Sequence, residues 1–301
     1  MTPLTPYQPR LVVVTATTDV ARAATFIQRL SQTTTRMPPP VVVVQQKTQA
    51  WMPMLDGVVV RSDDYLGVVP AFTRGVEMAL RAYPSAEVIA CLHDDVLMQE
   101  YDWDHWLLRH FDNYPSCGLA GFGGAWGLGD VDAGKGEYRP TWLVRRGFMS
   151  NMPDAEVHGE RSRIAQQVAV LDGFSLCFRR DFLIQRLPTE AWGSKHSIHT
   201  PGMYAGEDNL FALLEKWGVV HHAYDAAMGA FAKDLGWEVW YLPFECQHLG
   251  GQTAVGDAGY AEWAKTQTAD SRGDQRFWEE AHGIIWSKLG HLLPFEVGHR
   301  T

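Results

Sequence analysis

Three short valine-rich runs limit this chain's fold more than any other feature. They are "RLVVVTATT", "VVVVQQ" and "GVVVRSDD", beginning at Arg10, Val41 and Gly57. Successive β-branched residues with no polar alternation read as strands covered on both faces, the pattern of a parallel sheet. Between them the period changes. After Thr17 or Thr18, the expected helix N-cap, Val20, Ala24, Ile27 and Leu30 recur at helical spacing. A Pro-rich turn at 38–40 leads to the second strand. "VPAFTRGVEMALRAY" reads as a second helix with Pro70 near its start, and "AEVIACLHDDV" as a fourth strand ending in acids. The order β-α-β-β-α-β predicts a mainly parallel, helix-covered α/β sheet with ligands at the carboxyl ends of its strands.

Further on, "DWDHWLLRHFDNY" reads as a helix and Cys117–Phe122 as a strand. The stretch from Gly121 to Gly136 is glycine-rich and reads as a long loop. "VAVLDGFSLCFRR" reads as one strand, or as two joined at Gly173. Glu207–Trp217 and Tyr224–Leu235 look helical, and "WEVWYLPFECQH" is a strand interrupted at Pro243. "RFWEEAHGIIWSKLGHLLPF" is an amphipathic helix ending before Pro294.

Bulk properties remove some functions. The net charge of −9 gives no global attraction to nucleic acid or anionic membrane. No apolar run approaches the roughly 20 residues of a membrane span. Met1–Arg10 has no cationic start followed by an apolar stretch, so no signal peptide is expected. The four cysteines show no CxxC spacing, which fits reduced core thiols and a cytoplasmic location. Twelve tryptophans suit either a core or the lining of a sugar or base site.

The chemistry concentrates at "CLHDDV", where Asp94 and Asp95 end an apolar strand. Two acids at a ligand-binding sheet edge are costly unless a cation or hydrogen-bond donors neutralise them. Mg²⁺ or Mn²⁺ bridging to a diphosphate would do so; a solvated turn that caps the next helix is the other reading. Gly129, Gly134 and Lys135 have P-loop spacing, but Gly136 stands where Ser or Thr is needed, and Asp130 and Asp132 would repel phosphate. His221 and His222 lack the HExxH context or cysteine partners of a zinc site.

A strand ending in acids followed by an apolar residue resembles the DXD-type motif of family 2 glycosyltransferases, which have the GT-A fold. "YLGVVPAFTRGVEMA" is similar to that family's Asn-x-Gly stretch: Gly67 and Gly75 match, while Tyr65 and Thr73 stand where Asn is preferred. His93 stands where many members have a first Asp. "VLDGFSLCFRRDFL", "HHAYDAAMGAFAKDLGWEVWYLP" and "CQHLGG" follow in the family's order, and Lys288–Pro294 loosely resembles its closing segment. The similarity runs from about Leu11 to about Thr253.

The resemblance implies a nucleotide-sugar donor, UDP-sugar first, with Mn²⁺ or Mg²⁺ held by Asp95 and His248. It implies Asp225 as the base that deprotonates the acceptor hydroxyl, with Asp208 of "GEDN" as the alternative, and inversion at the anomeric carbon. Thr15, Thr17, Gln45, Asp63, Asp64 and Asp94 are then expected toward the donor, with Gln45 where an acid is usual. Residues 1–95 would form the nucleotide-sugar-binding half of one domain, 96–253 the acceptor and catalytic half, and 254–301 a C-terminal helical extension. The expected acceptor is a glycan, with a hydroxylated DNA base disfavoured by charge. A nucleotidyltransferase and an inactive nucleotide-sugar-binding module are the alternatives.

Overall fold

The valine runs form one side of an eight-stranded sheet, and the third run, expected to be covered on both faces, is instead its half-buried edge strand. In the computed structural model β1 (Leu11–Thr17) lies between β2 (Val41–Gln46) and β4 (Val88–Leu92), and β2 also pairs with β3 (Gly57–Ser62), all in parallel. The residues described are 8–47, 57–129, 143–152, 159–184, 209–249, 258–267 and 274–297. Glu207, Asp208 and the 130–136 stretch fall outside them, as do His158, His196 and His199.

Alternate residues of β1 serve opposite layers. Val12 and Val14 face helix α2 (Val68–Ala82) with Phe72 and Val76, while Leu11 and Val13 face α1 (Val20–Gln32) with Phe26 and Leu30. Each such side chain contributes about 1.5–3 kcal/mol of burial, which explains the lack of polar alternation in the first two valine runs. α2 lies so close to β1 that a Cβ on Gly75 would be 2.3 Å from Val14 Cγ1. Gly67 caps α2 at φ +85°, and its Cβ would meet the Val220 carbonyl at 2.5 Å. Both glycines of the family-like stretch are therefore set by packing and backbone geometry.

After β4 come β5 (Val96–Met98), α3 (Trp103–Asn113), β6 (Cys117–Gly121) and β7 (Gly123–Leu128), then β8 (Arg145–Ser150), β9 (Glu160–Arg161), β10 (Gln166–Gln167), β11 (Val170–Leu171) and β12 (Ser175–Arg179). Short α4 (Arg180–Leu183), α5 (Leu210–Lys216) and α6 (Tyr224–Asp234) precede β13 (Glu238–Tyr241) and β14 (Cys246–His248). Helices α7 (Ala258–Gln267) and α8 (Asp274–Leu289), a 3-10 turn (Gly290–Leu292) and strand β15 (Phe295–Glu296) complete the chain's described elements. The large sheet runs β10-β13-β6-β12-β4-β1-β2-β3. β12 is antiparallel to β4 and β6, β6 is parallel to β13, and β10 is antiparallel to β13. A mainly parallel sheet flanked by helices, followed by a C-terminal helix, is the α/β fold the sequence predicts.

Two expectations need correction. Asp19, not Thr17 or Thr18, caps α1: its Oδ1 accepts from the amides of Ala21 and Arg22 at 2.8 and 3.2 Å. Thr17 is buried and ties down the preceding turn, its hydroxyl donating to the Asp19 carbonyl at 2.7 Å. The supposed glycine loop also begins as a strand. β7 pairs with β8 and β11 in a second sheet, and its glycines let the backbone pass close to neighbours: a Cβ on Gly124 would sit 3.0 Å from the Val170 carbonyl. "VAVLDGFSLCFRR" is two strands in different sheets, broken at Asp172–Gly173–Phe174. All four cysteines are buried free thiols. Among the described residues, no helix is long and apolar enough to cross a membrane.

Candidate active site

β4 ends at Leu92, and the turn His93–Asp94–Asp95 leads into β5. The His93 amide donates to the Phe174 carbonyl at 3.0 Å, fixing the turn against the β11–β12 break. β14 pairs with β5 so that His248 lies opposite Val96, which brings it beside Asp95. One ligand atom from each of His93, Asp95 and His248 lies within 4.8 Å of the others. Asp95 Oδ1 is 3.4 Å from His248 Nε2 and 4.0 Å from His93 Nδ1. That oxygen is buried.

The hydrogen bonds around His93 fix its tautomer. Its Nε2 is 2.9 Å from the Tyr224 hydroxyl, which itself donates to the Gly173 carbonyl at 3.1 Å. Tyr224 has one proton to give, so His93 Nε2–H is the donor in the first contact. Burial pushes the imidazole down to about 4, so it is neutral near pH 7. Its Nδ1 lone pair then lies 4.0 Å from a carboxylate oxygen, acceptor beside acceptor. Burial raises the Asp95 carboxyl, but His248 and His93 outweigh it and the group is held below its usual range, hence ionised. A cation among these three groups resolves the mismatch, and a metal-bound imidazole commonly donates its other N–H to a neighbouring oxygen. These residues therefore fit a divalent metal.

Asp94 turns away from this cluster. Its Oδ2 accepts from Arg22 Nε at 2.8 Å, and burial pushes its carboxyl up to about 6 even against that guanidinium. Thr15, Thr17 and Gln45 are buried at the carboxyl ends of β1 and β2, with Asp63 and Asp64 exposed beyond β3. They share one edge of the sheet. Gln46, the neighbour of Gln45, fastens the β3–α2 turn by accepting from the Leu66 amide at 2.7 Å.

Asp225 lies in the first turn of α6 and lines a cavity of about 380 Å³ with Arg145, Asp172, Tyr224, Trp278 and His282. Ala223, just before the helix, has a left-handed φ of +61°, strain that a non-glycine residue sustains only under tight surroundings. Arg145 reaches both acids: its Nη2 binds Asp225 Oδ2, and its Nη1 lies 3.3 Å from Asp172 Oδ2. The other oxygen of Asp225 accepts from the Ala226 amide at 2.7 Å. His93 lines the same cavity, so Tyr224 and His93 connect the Asp225 wall to the metal-ligand cluster.

His221 and His222 also line it, but their rings pack on aromatics, with His222 Nε2 3.3 Å from the Tyr260 hydroxyl. Among the described residues, the grouping that could hold a metal is His93–Asp95–His248. Sequence reasoning read His93 as a departure and assigned nothing to Arg145, Asp172, Trp278 or His282. The available signals were weak: Asp172 belongs to "LDGFS", and Trp278 and His282 are four apart on one helix.

No family model matches the chain, and no curated protein matches it. Solved structures do. The mannosyltransferase PcManGT from Pyrobaculum calidifontis, in complex with GDP-Man and Mn²⁺, is 14% identical over 94% of this chain and 70% of its own, with a TM-score of 0.43. GalNAc-T7 with UDP, GalNAc and Mn²⁺ is 10% identical over 95% of this chain, TM-score 0.46. Two of these neighbours hold a nucleotide and manganese. This chain spans 57% of the GalNAc-T7 chain. Residues 1–349 of S. aureus TarS are 11% identical over 94% of this chain and 82% of their own, TM-score 0.43.

Proposed function

We propose that the chain is a metal-dependent glycosyltransferase that moves a sugar from a nucleotide diphosphate donor, UDP-sugar first, to an acceptor hydroxyl with inversion. One observation carries this reading: His93, Asp95 and His248 bring one ligand atom each to within 4.8 Å of one another, at the sheet edge that continues into the Asp225 cavity. The family-like motifs, in order along the sequence, support the donor class.

His93, Asp95 and His248 would hold the metal, which supplies positive charge against the leaving diphosphate oxygens. Two imidazoles and one carboxylate suit Mn²⁺ better than Mg²⁺, which prefers an all-oxygen shell. Asp94, Thr15, Thr17 and Gln45 face the nucleotide and ribose, with Asp63 or Asp64 accepting from the base. Arg145 pairs with Asp225 and holds it at the cavity wall. From there Asp225 accepts the acceptor hydroxyl's proton as that oxygen attacks the anomeric carbon from the face opposite the leaving group. Asp208 is the alternative base.

The test is release of nucleoside diphosphate from a panel of nucleotide sugars with Mn²⁺ or EDTA. Release from one donor, lost with EDTA and in Asp225→Asn, is the expected result. Calorimetric binding of a donor without any turnover would instead mark a binding module, and release of pyrophosphate from a nucleoside triphosphate a nucleotidyltransferase. No binding on the whole panel removes the assignment.

A further inference from the structure

The cavity beside Asp225 has a wall that the proposed chemistry does not use. α8 contributes Trp278 and His282, one helical turn apart, with ring centroids 3.7 Å apart. They form an aromatic plate in the lining of the cavity that Asp172, Arg145 and Asp225 also line. A volume of about 380 Å³ is at the small end for ligand pockets. It admits a single ring, not a duplex or a folded chain.

Its charge narrows the ligand further. Among the described lining residues the only Lys or Arg is Arg145, and its guanidinium is already engaged by two carboxylates. Among the described lining residues, a phosphate brought here would meet Asp172 and Asp225 with the imidazoles of His93, His221, His222 and His282 but no uncommitted guanidinium or ammonium to receive it, the groups on which strong phosphate recognition chiefly depends. An uncharged ring rich in hydroxyls meets suitable partners in both groups. Its hydroxyls donate to the carboxylates, and its C–H face lies on the indole.

We propose that α8 builds the acceptor subsite, that Trp278 and His282 are its specificity-determining residues, and that it takes a neutral, phosphate-free saccharide ring. The word acceptor rests on the transferase reading; the ring site itself does not.

Binding is measured directly, by calorimetry and tryptophan fluorescence, on protein loaded with Mn²⁺ and a nucleoside diphosphate. The probes are methyl glycosides of common hexoses, the corresponding sugar phosphates, and a short single-stranded oligonucleotide containing 5-hydroxymethylcytosine. At least one methyl glycoside should bind, with its phosphate weaker by about tenfold or more. Trp278→Ala should weaken it by about tenfold and Trp278→Phe recover most of the loss, as expected for ring stacking. An unchanged Mn²⁺-induced rise in melting temperature shows that Trp278→Ala is folded. The proposal is overturned if no glycoside binds, if the phosphate or oligonucleotide binds more tightly, or if Trp278→Ala leaves affinity unchanged. Glycoside binding without turnover of any nucleotide sugar keeps the subsite and removes the transferase. Transfer onto a phosphate-bearing acceptor does the reverse.

Discussion

The two ends of the cleft each present a buried carboxylate, and they differ in what neutralises it. Asp225 rests against the guanidinium of Arg145, shared with Asp172. Asp95 faces two imidazoles, one of them with its lone pair turned inward by the hydrogen bond to Tyr224. The first end is electrically served by the chain's own side chains. The second is served by imidazoles, with no Lys or Arg ion pair to Asp95 among the described residues, and gains its full counter-charge when a cation arrives. A fixed counter-ion keeps a base in place, while a missing one leaves room for an ion that must also touch substrate.

The largest test of this contrast is Asp225→Asn. Amide replaces carboxylate without loss of volume, so donor and metal binding should persist while turnover falls about 10²–10⁴-fold, the usual contribution of a general base. Donor affinity by calorimetry, set beside the rate of nucleoside diphosphate release, checks it. A fall below tenfold would move the base elsewhere, with Asp208 the first alternative.

The next effect belongs to the other end. With free Mn²⁺ about a hundred times its Kd, the folded state gains about 2.7 kcal/mol, read as a rise in melting temperature. Asp95→Ala and His248→Ala should abolish that rise and Asp225→Asn should retain it. Mg²⁺ at the same concentration should give a smaller rise, since two of the three protein ligands are nitrogen. Equal responses to both ions would count against His93 and His248 as ligands.

Removing the fixed counter-ion should cost stability even without metal. Arg145→Met leaves Asp172 and Asp225 facing one another, and Arg145 is 30% exposed. The expected loss is about 2 kcal/mol, between the values for an exposed and a fully buried pair, measured by urea denaturation in EDTA. Asp95→Asn in the same buffer should change stability far less, because it removes no ion pair to Lys or Arg. If the two variants cost the same, the ends are not distinguished as argued.

The sequence made one end far more legible than the other. Valine periodicity located β1 to β3, and the acids after Leu92 pointed to the metal edge, because those signals are local. Arg145 had no such signal: its partners lie 27 and 80 residues away, and only the apposition of the second sheet with α6 brings them together. β7 was hidden because its glycines make room for neighbouring backbone and rings, a tertiary cause that looks like a loop in the sequence. Asp19 took the cap from Thr17 because β1 uses Thr17 as its own last buried residue. The α8 plate read only as an amphipathic helix, since the cavity that gives Trp278 meaning is made by elements from about fifty to well over a hundred residues earlier.

Tyr224 joins the two ends, and its removal should produce the smallest but most specific effect. It stands immediately before Asp225, and its hydroxyl accepts from His93 and donates to Gly173. Gly173 has no side chain for a physical reason: a Cβ there would lie 2.4 Å from the Tyr224 hydroxyl. Tyr224→Phe keeps the ring and removes the acceptor that holds His93 Nε2–H. His93 can then take either tautomer, and metal affinity should fall about tenfold, the lower range for loss of an outer hydrogen bond to a metal-bound histidine. Gly173→Ala should have the same effect by displacing the ring, so combining it with Tyr224→Phe should add little, as coupled sites do. Calorimetric Mn²⁺ titration of the two single variants and the double variant measures this coupling. Fully additive losses would mean that Tyr224 reaches the metal end by some route other than His93.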